Sequence, residues 1–79
     1  MERWEHLALT LERRYFGTMD APQSDWAVAV PDGDEMLGLQ QILDRTAAQG
    51  WELVSLLPTA WGKSEAKALT AVFKRRASA

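Results

Sequence analysis

The sequence predicts an α+β domain, an antiparallel sheet of three to four strands in ββαββ order with one helix packed on one face. Three observations carry that expectation. Apolar residues alternate with period two over residues 3 to 13 and again over residues 25 to 30, as half-buried strands require. After them, residues 36 to 47 repeat apolar positions at three- and four-residue spacing, as an amphipathic helix does. Gly50 then closes that helical run directly before an apolar stretch, "WELVSLLP".

The first strand is expected over residues 3 to 13. Leu7, Leu9 and Leu11 share one face, and Trp4, His6, Ala8 and Thr10 share the other. Tyr15 and Phe16 begin a loop, and "GTMDAPQSD" has the composition of a long, mobile connection. "DWAVAV", residues 25 to 30, alternates again with Trp26, Val28 and Val30 on one side, and a hairpin with the first strand follows. Pro31 and Asp32-Gly33 end it. Asp32 and Glu35 have the spacing of a capping box, which opens the helix. Met36, Leu39, Leu43, Thr46 and Ala47 form its apolar face with Ile42 beside them. Gly38 weakens the first turn by about 1 kcal/mol relative to Ala, which favours a regular start near Leu39.

Gly50 is expected in the left-handed conformation that reverses the chain at a helix end. Trp51 then starts a strand under the helix's own last turn, where a large side chain seals the end of the core. "WELVSLLP" and "AKALTAVFKRR" are the last two strands, with "TAWGKSE" as the turn between them. Residues 1–76 form a single domain and residues 77–79 a frayed tail.

The run through Gly50-Trp51-Glu52-Leu53-Val54, with Trp4-Glu5 before it and Phe73-Lys74-Arg75 after it, resembles the small bacterial proteins of domain-of-unknown-function family 4177. The resemblance implies a small α+β fold. It brings no activity, substrate or cofactor with it.

Composition narrows the function classes. At 79 residues without cysteine, the chain has neither disulfides nor thiolate metal sites to support a small core, which leaves oligomerisation. A single histidine, His6, argues against a histidine-rich metal site. The N-terminal run "MERWEHLALTLERR" is charged throughout, unlike a signal peptide, and the expectation is a cytoplasmic protein. Charge is uneven. Residues 20 to 52 hold seven carboxylates against Arg45, and the end from Lys63 onward holds five cations against Glu65.

Two short motifs reduce to structure. "GKS" at 62 to 64 lacks the glycine of a phosphate loop, because that position holds Leu57. "DGDE" at 32 to 35 lacks the alternating oxygen ligands of a calcium loop. His6 with Glu5, Glu12 and Glu52 is the one acid–base cluster to weigh. Glu5 points away from His6 on the strand, and no nucleophile motif accompanies them, so no catalytic residue, cofactor or metal is expected.

Four tryptophans are the surplus that structure alone does not absorb. Aromatics with arginines mark protein interfaces, and an acidic pI of about 5.2 opposes a nucleic-acid surface. One helix cannot cover a sheet of this width. The leading expectation is a non-enzymatic, self-associating protein-interaction module. Its interface centres on Trp4, His6, Ala8 and Thr10, with Trp26 and Trp61 as further aromatic anchors. The alternative is a small nucleic-acid-associated or regulatory protein using the basic end and exposed aromatics.

Overall fold

A computed structural model describes residues 2–29 and 34–77. The elements run β1 (Trp4–Gly17), β2 (Pro22–Ala29), β3 (Glu35–Leu37), α1 (Leu39–Ala48), β4 (Glu52–Trp61) and β5 (Ala66–Arg76). The five strands form one antiparallel sheet in the order β3-β2-β1-β5-β4. This corrects the expected ββαββ sheet of three to four strands: the order is βββαββ, and most of the described chain is strand. The extra strand is Glu35–Leu37, placed by the pairs Ala27↔Leu37, Val28↔Met36 and Ala29↔Glu35. Three residues are too short to display alternation, so Met36 falls into step with the helical pattern that follows.

The capping box is corrected too. Glu35 lies in β3 and takes an ion pair from Arg14 instead of a helix amide. Asp32, Val30 and the rest of residues 30–33 lie outside the described residues. The helix starts at Leu39, after Gly38 turns the chain at φ 115°. Its cap comes from a distant strand: the Leu39 amide donates to Asp25 Oδ1 at 3.0 Å, and the Trp26 amide donates to the same oxygen at 2.7 Å. A carboxylate there meets both a free amide and the positive end of the helix dipole. Asp25→Ala is expected to cost about 1 kcal/mol, read as a lowered urea midpoint with an unchanged slope. An unchanged midpoint would show that the cap contributes nothing.

At the other end the expectation for Gly50 is met, with φ 90°. The Trp51 amide donates to the Thr46 carbonyl at 3.1 Å and the Gly50 amide to Ala47 at 3.0 Å. This pair of bonds is the Schellman pattern. No atom lies within 4 Å of a Cβ placed on Gly50, so a side chain there meets backbone strain and no clash. Gly50→Val should therefore destabilise by more than about 1 kcal/mol, and calorimetry that finds no loss would remove the strain argument.

Three boundaries differ from expectation. Tyr15 and Phe16 continue β1 instead of opening a loop. The connection to β2 is a tight turn, with Thr18 and Ala21 exchanging backbone hydrogen bonds at 3.3 and 3.2 Å. Trp61 is the last residue of β4, and the turn that follows is closed by the Gly62 amide on the Glu65 carbonyl at 2.8 Å. At the chain's end, the Ala77 amide donates to the Arg3 carbonyl at 3.0 Å.

The helix crosses one face of the sheet between its two edge strands, β3 and β4. Leu11, Val28 and Leu69 of the sheet form the core with Ile42 of the helix, and Ala71 and Phe73 are buried as well. The apolar face read from Leu7, Leu9 and Leu11 is the one turned toward the helix. Within α1, Ile42 and Thr46 are buried, and Ala47 is exposed. The buried Thr46 hydroxyl donates back to the Ile42 carbonyl at 3.0 Å, so its burial leaves no unpaired group. Helix and sheet are badly matched in size. Ten helical residues span about 15 Å, while the molecule is 55 Å long.

Candidate interaction surface

The opposite face of the sheet has no covering element among the described residues. Strand pairing fixes its membership, because directly opposed residues share a face. Trp4 lies opposite Arg76, His6 opposite Lys74, Ala8 opposite Val72 and Thr10 opposite Thr70. The structure thus brings Trp4, His6, Ala8 and Thr10 together, and all four are exposed. Leu57 joins them from β4, opposite Thr70 and 60% exposed. Leu37 joins from β3, opposite Ala27. The middle of the face is small and weakly polar, and its aromatic residues on β1 stand toward the two ends, Trp4 at 44% exposure and Phe16 at 43%.

Two of the expected anchors lie elsewhere. Trp26 is opposite Arg13, which places it on the helix side, where it packs against the core. Arg13 lies over its ring at 4.5 Å and donates from Nε to the Ala66 carbonyl at 2.8 Å. Trp61 is 68% exposed at the far end of edge strand β4, opposite Ala66 and remote from Trp4.

Most of the aromatic surplus has internal partners. Lys74 Nζ sits 4.7 Å above the Trp4 ring and the Arg76 guanidinium 5.8 Å from it. Arg75 covers the half-buried Trp51 at 4.2 Å while donating to the Gln49 carbonyl at 3.0 Å. The sealing role expected of Trp51 is therefore shared with a cation from β5. Lys74 also faces Glu52 at 3.9 Å, Arg75 bonds Glu5 at 3.4 Å, and Arg76 bonds Glu2 at 2.6 Å. Each such exposed pair is worth little alone. Together they give Lys74, Arg75 and Arg76 each a carboxylate and an aromatic ring within the chain. At the molecule's other end the Tyr15 hydroxyl donates to Glu65, which Lys67 also contacts at 3.2 Å. These contacts hold the Glu65 carboxyl below its ordinary range.

The acid–base cluster does not assemble. Glu5 is drawn to the helix side by Arg75, and Glu52 faces Lys74. Glu12 shares the His6 face but lies six residues away, about 20 Å along the strand. Among the described residues, no three side chains of metal-ligating type converge. No helix there is long and apolar enough to cross a membrane.

In the Gly50–Val54 motif, Leu53 lies opposite Phe73, and Val54 occupies a shift in register between Leu53 and Ser55. That motif is therefore a hinge followed by an irregular edge strand. Part of the Val and Leu complement of the other strands is expected on the open face, and the register names the residues as Leu57 and Val72, with Thr70 between them. The alternation in "ALTAVF" does separate Thr70 and Val72 from Leu69, Ala71 and Phe73, yet only the register says which set faces the helix.

A short helix clamped on one side of a broad antiparallel sheet, its other side bare, defines a small sheet-face module. The domain of unknown function designated DUF4177 matches residues 4–76, and the chain belongs to that family. No curated protein and no solved structure matches the chain.

Proposed function

We propose that this protein is a non-enzymatic, self-associating interaction module that works through the uncovered sheet face. One observation carries the reading, the excess of surface. The chain exposes 5947 Å². A compact monomer of 8.9 kDa exposes about 4,800 Å², so roughly 1,100 Å² is left over. A standard protein–protein interface takes about 800 Å² from each partner. The radius of gyration agrees: it is 14.7 Å, against about 11.6 Å for a compact chain of this length.

The charge arrangement supports a protein partner over a nucleic acid. A nucleic-acid surface needs cations free to release counterions, and Lys74, Arg75 and Arg76 each face a carboxylate of the same chain. A labelled oligonucleotide at low salt is therefore expected to remain unbound. Association coupled to folding makes stability depend on protein concentration. The test is calorimetry across a hundredfold dilution: the melting temperature should fall on dilution, and a constant value contradicts self-association.

A further inference from the structure

We infer that the cleft beside the helix takes an extended peptide segment, which adds as a strand to the free half of β1. The segment carries aliphatic side chains at alternate positions, with one acidic residue between them. This goes beyond self-association, because the cleft lies on the helix side and leaves the open face to a second copy. The ladder between β1 and β2 stops at Glu12↔Ala27. Past that point β2 keeps only β3, through Val28↔Met36 and Ala29↔Glu35. From Trp4 to Leu11, β1 therefore has β5 on one side and no strand on the other among the described residues. Its register with β5 is unbroken over that length. The outer edges are poorer templates, since β3 is three residues long and β4 carries Pro58 and register shifts. A second backbone is the partner whose donors and acceptors repeat at the spacing of the free edge.

The gap opens into a cavity of about 840 Å³, within the range of ligand sites. Its apolar lining is Leu7 and Leu9 of β1 with Val28, Met36 and Ile42. Leu7 and Leu9 stay half-buried, whereas Leu11 on the same face is fully buried. A strand laid against β1 sends every second side chain into this space. The helix forms a matching wall. It runs antiparallel to β1, from the Asp25 cap opposite Arg14 to the Gln49 carbonyl, which Arg75 holds opposite Glu5. Gln41, Arg45 and Gln49 line the cavity one turn apart. That repeat is about 6 Å, close to the roughly 6.8 Å between alternate strand residues. Charge chooses the central side chain. Arg45, in the middle of the row, has no carboxylate partner among the described residues. On the facing wall Glu35 is held by Arg14, and Asp34 lies beyond it, past the last pair of β3. A carboxylate on the middle inward side chain meets Arg45, and aliphatic side chains on either side of it meet the apolar lining.

The probe is the blocked peptide acetyl-Thr-Val-Thr-Glu-Thr-Val-Thr-amide, titrated into the full chain and followed by amide NMR and hydrogen exchange. Saturation should slow exchange at amides between Trp4 and Leu11 by about tenfold or more. N-methylating one alternate set of peptide amides should weaken binding about tenfold, and methylating the other set should leave it within about twofold. Replacing the central Glu by Lys should weaken binding about fivefold, and the exposed-site variant Arg45→Glu should reverse that preference. Equal effects of the two methylations overturn strand addition. Unchanged exchange along β1, or no binding at millimolar peptide, does the same. A preference for Glu that persists in Arg45→Glu overturns the placement on the helix wall. A monomeric parent that still binds the peptide in this way overturns self-association and leaves the cleft assignment standing.

Discussion

Ala8→Arg is expected to yield monomer or unfolded chain. Ala8 lies on the central strand, opposite Val72, with its side chain on the uncovered face. In an isolated chain an arginine at this exposed site would reach water freely and cost little. Between two packed sheets the same guanidinium has no carboxylate opposite it. An unpaired buried charge costs about 3–5 kcal/mol, and a two-fold assembly carries the substitution twice. Each 1.4 kcal/mol is about tenfold in affinity, so the loss should exceed a hundredfold. Thr18→Arg in the β1–β2 turn serves as the control that adds the same charge off the face. Sedimentation of Ala8→Arg at the parent's mass and stability would remove the open face as the interface.

Phe73→Ala should be the most damaging substitution within one chain. Phe73 is 1% exposed, opposite Leu7 on β1 and Leu53 on β4, and it is among the largest side chains in the buried set. Truncating a buried phenylalanine costs about 3–5 kcal/mol through lost transfer energy and the cavity left behind. Domains have only about 5–15 kcal/mol in total, and one this small sits at the low end. The expected outcome is a largely unfolded chain at 37 °C, read from lost near-ultraviolet dichroism of the tryptophans. A urea midpoint near the parent's would mean that the core lies elsewhere.

The features legible in the sequence are those set by neighbours along the chain. Leu7, Leu9 and Leu11 share a face in any strand, and residue 50 needs a glycine because the helix must end and reverse there. The features that escaped depend on register or on distant partners. Trp26 and Val28 correctly share a face, but only the pairing Glu12↔Ala27 shows that this face is not the one bearing Trp4. The helix cap, Asp25, stands 14 residues from the amide it accepts, beyond the reach of a local capping pattern. A three-residue strand leaves no periodic signal at all. The exposed aromatics looked available because sequence does not reveal that Lys74, Arg75 and Arg13 fold back over Trp4, Trp51 and Trp26.

Sedimentation equilibrium from low to high micromolar concentration tests the central claim most directly. The claim is that the bare sheet face is closed by another copy of the chain. The expected result is a mass at least twice the 8.9 kDa of one chain, falling toward the monomer only on strong dilution. A single species of 8.9 kDa across the whole range would contradict it and leave the face free for a different protein.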